Sequence, residues 1–191
     1  MSVVLHIKNM VCPRCIESVQ QVLTDFGLEV QDIKLGEVQI DRQPDTDLLN
    51  KISETLRQKG FELLRDKKTI VVDRVKSEII KLVHQSENEI LNVNLSSRLS
   101  ALIGTDYSSI SSLFSSSEGI TIEKFTILQK IEKVKELLSY GELTASEIAF
   151  KMGYSSAAHL SAQFKKETGV TPGQYKKLKD KNRNPLDQIR K

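Results

Sequence analysis

GELTASEIAFKMGYSSAAHLSAQFKKETGVTPGQY, residues 141–175, is the stretch on which the reading of this chain turns. Thr144 stands three residues before Glu147, the spacing of a capping box, and Ile148, Ala149 and Met152 follow at helical intervals. Gly153 stops that helix. A second helix opens at Ser155 and Ser156 and carries Leu160 and Phe164 four apart on one inward face. Ala158, Ser161, Ala162, Lys165 and Lys166 are expected on its outer face. Two short helices across a tight glycine turn form a helix-turn-helix, whose second helix enters the major groove of double-stranded DNA. Lys165 and Lys166 sit where they would neutralise phosphates.

Upstream, residues 94–104 (NLSSRLSALIG) and 106–119 (DYSSISSLFSSSEG) repeat the hairpin pattern, with Ile110, Leu113 and Phe114 matching Leu160, Gln163 and Phe164. The outer face of this first reading helix is all hydroxyl: Ser108, Ser109, Ser111, Ser112, Ser115, Ser116 and Ser117. Hydroxyls bond phosphates and the base edges of either strand, but without bidentate geometry they discriminate poorly. Between the hairpins, Thr121 to Ser139 carries Ile122, Phe125, Leu128, Ile131, Val134 and Leu138 on one stripe and reads as a linker helix.

The first third of the chain has different periods. Val3, Leu5 and Ile7 alternate with Val4 and His6, which predicts a strand with His6 off the core and exposed. A helix ending at Gly27 follows, then strands at 28–34 and 37–42 turning at Leu35-Gly36, a helix from Asp47 to Lys59 ended by Gly60, and a strand from Phe61 to Leu64. Strand-helix-strand-strand-helix-strand predicts a ferredoxin-like βαββαβ unit. The fold class is therefore α+β: a ferredoxin-like domain over residues 1–68, and an all-α domain over 69–178 with helix-turn-helix units near 94–119 and 142–170. A basic tail covers 179–191. From Thr69 to His84 a single helix is expected, with Val72, Val75, Ile79, Leu82 and Val83 on one face and His84 at the surface.

Cys12 and Cys15 are the only cysteines, separated by two residues at a helix start, where the helix dipole is expected to acidify both thiols. Two soft sulfurs suit a low-coordinate soft ion, Cu(I) first among them, whereas a four-coordinate zinc site would lack two ligands. The pair also fits a redox dithiol, or a remnant retained by packing. Exposed on a loop, it allows a metal-linked homodimer, completed by the same pair from a second chain.

With 191 residues, 28% charged and 39% hydrophobic, the composition is that of an ordinary globular chain. No apolar run approaches a membrane span and no basic leader precedes the first strand, so no membrane partner and a cytoplasmic location are expected. The net charge of +3 is unevenly placed: residues 156–191 hold nine Lys/Arg against three Asp/Glu, leaving −3 for the rest, as expected of a DNA contact surface at that end. Gly-rich phosphate loops, nucleophile elbows and His/carboxylate clusters do not occur in the sequence, so the chain is not expected to be an enzyme.

The quoted stretch also resembles the second helix-turn-helix of AraC/XylS transcription activators, in its IA-x-x-x-G-[FY]-S-S opening from Ile148 and its F-K-K-x-x-G-x-T-P-x-x-[FY] close from Phe164. With the duplicated hairpin the resemblance covers 69–178. It implies that Ser155, Ser156, Ala158, His159, Ser161, Ala162, Lys165 and Lys166 face DNA, and Ser108, Ser109, Ser111 and Ser112 in the first copy. Ala162 departs from an arginine common in the family, and His159 falls where the family has a partly packed aromatic, so packing is its expected role. Asn9-Met10-x-Cys12-x-x-Cys15 is similar to the G-M-x-C-x-x-C loop of heavy-metal-associated domains, with Asn9 in place of glycine. Together the resemblances imply a Cu(I)-responsive, sequence-specific transcription regulator. The rivals are a metal-trafficking or buffering protein whose helical part binds a protein partner, and a dithiol redox-switched regulator.

Overall fold

A computed structural model describes residues 2–85, 94–178 and 185–186. The expected 179–191 tail lies outside the described residues except for 185–186. The chain divides into two compact units, Met1–Ser77 and Glu78–Lys191.

In the first unit the elements run β1 (Val3–Lys8), α1 (Pro13–Asp25), β2 (Val30–Lys34), β3 (Glu37–Ile40), α2 (Thr46–Gln58), β4 (Glu62–Leu64) and α3 (Lys67–Ile80), whose last residues belong to the second unit. The strands form one antiparallel sheet in the order β2-β3-β1-β4, with Leu5 opposite Val38 and Ile7 opposite Leu63. Inward-facing Leu5, Ile7, Val38 and Ile40 meet Val19, Val22 and Leu23 of α1 and Ile52 and Leu56 of α2 in a single core. Pro13 opens α1 and Asp45 caps α2 through the Leu48 amide.

The opposite face of this sheet is covered where β1 and β3 meet at His6 and Glu37, while Val4 on the same face stays exposed. Within the unit, α3 lies over it: Arg74 Nε donates to Glu37 Oε1 at 2.6 Å, and a Cβ on Gly36 would stand 3.2 Å from Ser77 Oγ. His6 and Glu37, paired across β1 and β3, are consequently half-buried. The expectation of an exposed His6 is corrected here. Strand parity assigned its face rightly but is silent on whether a second layer covers that face.

A second correction concerns the helix expected from Thr69 to His84. Its α-helical part ends at Ile80 and a π-helical turn, Lys81–Gln85, continues it. Val72, Val75, Ile79, Leu82 and Val83 are all buried, as their spacing predicted.

The second unit contains α4 (Leu95–Ile103), α5 (Tyr107–Glu118), α6 (Ile122–Tyr140), α7 (Ala145–Lys151), α8 (Ala157–Thr168) and α9 (Pro172–Lys177). α4 packs on α5, α7 packs on α8, and α6 stands between the two pairs in sequence and touches α5, α8 and α9. Fifty residues separate equivalent features. Asp106 and Ser156 cap α5 and α8; Gly119 and Gly169 end them with φ of 71° and 80°; Thr121 and Thr171 cap the helices that follow. Phe114 and Phe164, both fully buried, occupy matching places, and Phe114 meets Phe125 of α6 edge-on with ring centroids 5.7 Å apart. Side chains of this size stabilise by about 1.5–3 kcal/mol each when buried.

Around α6 more is buried than one stripe. Gln129, Glu132 and Lys135 are buried as well, the last two joined by an ion pair of 2.6 Å. Gln129 Nε2 donates to the Leu186 carbonyl and its Oε1 pairs with His84 Nε2 at 2.9 Å, so His84 is not the surface residue expected of it. A fully buried amide needs partners on both its ends, and His84 is one of them.

Candidate nucleic-acid interface and dithiol loop

The α7–α8 pair is built as its sequence foretells. Thr144 Oγ1 accepts the Glu147 amide while the Glu147 carboxylate accepts the Thr144 amide, a complete capping box that holds the Glu147 carboxyl below its usual range. α7 buries Ile148 and Ala149, and the chain turns at Gly153, φ 71°. Only glycine adopts that left-handed conformation without strain, which is why the turn between the helices is so short.

On α8, Leu160 and Phe164 point inward, and Ala158, His159, Ala162, Lys165 and Lys166 are exposed, with Ser155 and Ser156 exposed just before the helix. Ser161 is half-buried and stands at the flank of the face rather than on it. The lysines occupy the last turn, where the helix dipole favours cations. Lys176 and Lys177, in the last turn of α9, are exposed too.

His159 differs from its expected role. Instead of packing inward it is exposed at the third position of α8, its ring edge-on to Tyr154 at 5.3 Å and its Nδ1 paired with Ser155 Oγ at 3.0 Å. Lys130 of α6 lies over the Tyr154 ring, its Nζ 5.6 Å from the centroid. Burial pushes the Lys130 ammonium below its ordinary value, and burial with Glu167 nearby pushes the Tyr154 hydroxyl up to about 12. Tyr154 is thus a neutral wall behind the imidazole. Sequence reading missed both Lys130 and Tyr154; the only signal was the aromatic directly after Gly153.

The serine face of α5 is less available than its composition suggests. Ser108 and Ser112 are exposed, but Ser111 is half-buried. The Ser109 hydroxyl donates to Asp106 Oδ2 at 2.7 Å, and the Ser116 hydroxyl donates back to the Leu113 carbonyl. Serine hydroxyls near a helix backbone satisfy it locally, which removes donors from any external partner.

In the other unit, Cys12 caps α1 and Cys15 lies in its first turn, with Sγ atoms 3.3 Å apart. Both are half-buried, and Cys15 packs against the core. Burial pushes the Cys15 thiol up, outweighing the Val11 and Cys12 backbone groups that favour its thiolate. The acidification expected of both thiols does not hold for Cys15: desolvation exceeds the helix-end effect. Asn9 has φ 73°, the left-handed conformation for which asparagine is the next best residue after glycine, and its Nδ2 donates to the Gly60 carbonyl at 2.9 Å. His6 stays on the other sheet face, away from the sulfurs. Among the described residues no group of three or more His, Cys, Asp and Glu is assembled that would hold a metal ion.

Comparison with known proteins bears on the helical unit. Residues 99–178 match the family described as a helix-turn-helix domain. The chain is 38% identical over 80 residues to an uncharacterized HTH-type transcriptional regulator of Staphylococcus aureus (strain MSSA476), a match covering 42% of this chain and 11% of the relative. It is 22% identical over 171 residues to the uncharacterized HTH-type transcriptional regulator YtdP of Bacillus subtilis (strain 168), covering 87% of this chain and 22% of the relative. The matches thus span only 11% and 22% of the length of these curated relatives.

Among solved structures, the C-terminal domain of AraT, a response regulator from Geobacillus stearothermophilus, is 25% identical with a TM-score of 0.48, covering 58% of this chain and 87% of that one. The C-terminal domain of the response regulator yesN from Fusobacterium nucleatum is 27% identical with a TM-score of 0.45, covering 55% and 99%. Residues 99–178 therefore match a helix-turn-helix domain and are similar in sequence to part of HTH-type transcriptional regulators. No helix among the described residues is long and apolar enough to cross a membrane.

Proposed function

We propose that this chain is a cytoplasmic, AraC/XylS-type transcription regulator that grips double-stranded DNA chiefly through α8, and that Cys12 and Cys15 of a ferredoxin-like N-terminal unit hold a soft metal ion as its signal. One observation carries the DNA reading. The outer face of α8 presents Ala158, His159, Ala162, Lys165 and Lys166 together, small side chains and an imidazole leading to two ammonium groups, while its opposite face is anchored by fully buried Leu160 and Phe164. Small residues admit the helix to a groove and the lysines neutralise phosphates at its edge. Ser155, Ser156 and Ser161 flank that face; Ser108, Ser109, Ser111 and Ser112 belong to a weaker first reader.

The donor set of the loop suits Cu(I). Two sulfurs, half-buried at a helix start, suit a low-coordinate soft ion by their number and softness and leave a zinc ion short of ligands. Cys12 and Cys15 would hold the ion, and a second chain's pair would complete a metal-linked homodimer. In this reading residues 1–68 sense and 69–178 bind DNA.

A gel shift of the full chain against a random duplex pool, repeated across salt and with and without Cu(I), tests the proposal. Selection of a sequence, with affinity falling linearly in log salt, supports regulation. Salt-independent binding, or none, would point instead to a metal-trafficking or buffering protein whose helical unit binds a protein partner.

A further inference from the structure

We infer that His159 is the specificity-determining residue of the α7–α8 pair: a hydrogen-bond donor, aimed by Ser155 and Tyr154, that selects a guanine in the major groove. The inference rests on the DNA-binding reading above and assigns its sequence preference to one atom. Along the outer face of α8, Ala158 and Ala162 offer only methyl groups, and Lys165 and Lys166 stand in the last turn, where flexible ammonium groups meet phosphates without reading bases. His159 alone on that exposed face presents a planar, oriented hydrogen-bonding group.

Its orientation is set from three sides. The main-chain amide of His159 donates to Ser156 Oγ at 3.1 Å, which fixes the first turn of the helix. Tyr154 meets the imidazole at 89° with centroids 5.3 Å apart, which fixes the ring plane, and Lys130 lies over the Tyr154 ring. Ser155 Oγ lies 3.0 Å from Nδ1, which occupies that nitrogen and leaves Nε2 facing outward. The Ser155 hydroxyl is placed to donate to the Nδ1 lone pair, and the tautomer that such a bond favours carries its ring proton on Nε2. A single outward N–H matches guanine, which presents two adjacent acceptors, N7 and O6, in the major groove. Adenine sets a donor beside its N7, thymine offers one acceptor, O4, beside a methyl group, and cytosine offers a donor alone, so only guanine gives the N–H two adjacent acceptors. The methyl groups of Ala158 and Ala162 beside it suit apolar contact with a neighbouring thymine.

The experiment is selection of bound duplexes from a random double-stranded library by the full chain, followed by competition binding at each position of the selected site. Wild-type protein is expected to prefer guanine at one position by roughly five- to tenfold, the low end of the discrimination measured per base pair. His159→Ala should abolish that preference while leaving the other positions and the salt slope in place. His159→Asn should move it to adenine, the base that asparagine pairs bidentately. Ser155→Ala, which frees the tautomer, should weaken the guanine preference in a protein that melts as the wild type does.

An unchanged base profile in His159→Ala, or an equal loss on every sequence, would make His159 a packing residue and overturn the inference. So would a wild-type preference for adenine, thymine or cytosine at the position that His159→Ala flattens. Failure of the wild type to select any sequence would instead sink the DNA-binding reading itself, a result distinct from all of these.

Discussion

Arg74 of α3 donates to Glu37 of β3 at 2.6 Å, and the Glu37 oxygen it uses is the same one that His6 Nδ1 faces from 3.8 Å. Lys34 of β2 holds the other oxygen at 2.8 Å. Two cations already share one half-buried carboxylate, and the His6 Nδ1 is a buried atom without a hydrogen-bond partner among the described residues.

Acidification should therefore loosen this corner. Burial first, then the charges of Arg74 and Lys34, hold His6 below its ordinary 6.5, against the pull of Glu37. A histidine with a depressed folded-state pKa adds stability that is whole above 6.5 and is lost as pH falls through the folded value. Thermal melts of the wild type should fall between pH 7 and 5, and His6→Gln should flatten that slope. Burial alone would raise Glu37, but its Lys34 hydrogen bond and the Arg74 charge lower it below 4.5, so its own contribution disappears only in a more acidic window. A His6→Gln melt profile that keeps the full pH 7-to-5 slope would disprove the assignment to His6.

Gly36 should not tolerate a side chain. Its φ of +83° disfavours any L-residue by about 1–2 kcal/mol. A Cβ would also stand 3.2 Å from Ser77 Oγ. Gly27, φ +71° with nothing within 4 Å of its Cβ position, carries the backbone strain alone. Denaturant melts should show Gly36→Ala more destabilising than Gly27→Ala, the excess reporting the approach of α3. Equal losses would mean the Ser77 contact relaxes freely.

Lys165→Ala with Lys166→Ala should weaken DNA binding across all sequences and reduce the salt slope by about two, one per lost phosphate contact. Ser115→Ala with Ser116→Ala at the matching places should leave the slope alone, since the Ser116 hydroxyl is already bound to the Leu113 carbonyl. Filter binding at four salt concentrations separates the two. An unchanged slope in the double lysine variant would remove α8 from the phosphate contact.

Anaerobic titration should give one Cu(I) per chain, abolished by Cys12→Ser or Cys15→Ser alone, with Zn(II) held far more weakly. Mass measured alongside distinguishes a monomer from a metal-linked dimer. Failure to bind either metal, with DNA affinity that follows the dithiol–disulfide state, would replace the metal signal with a redox one.

Much of this molecule was legible in its residues, and the misses share a cause. Thr144 and Glu147, Leu160 and Phe164, and the glycines ending the helices each announce themselves through spacing with near neighbours, and the structure matches them. His6, His84 and His159 were each misjudged, because the deciding partners lie on other elements or in a turn: Glu37 and Arg74, Gln129, and Tyr154 with Ser155. Periodicity tells which face a side chain occupies, not what arrives to cover it. The end of the α-helix at Ile80 and its π-helical continuation likewise had no local signal, since Ile79, Leu82 and Val83 suit either winding.

The fifty-residue repeat has a geographic consequence. α5 and α8 follow one another in the same chain sense, yet one shows hydroxyls where the other shows an imidazole and two ammonium groups. Two unlike readers in fixed succession cannot be satisfied by a palindrome. On the proposed DNA-binding reading, a site that engages both has a head and a tail, so a single bound chain would point one way along the duplex, and moving its site to the opposite strand would turn the whole protein around relative to a promoter.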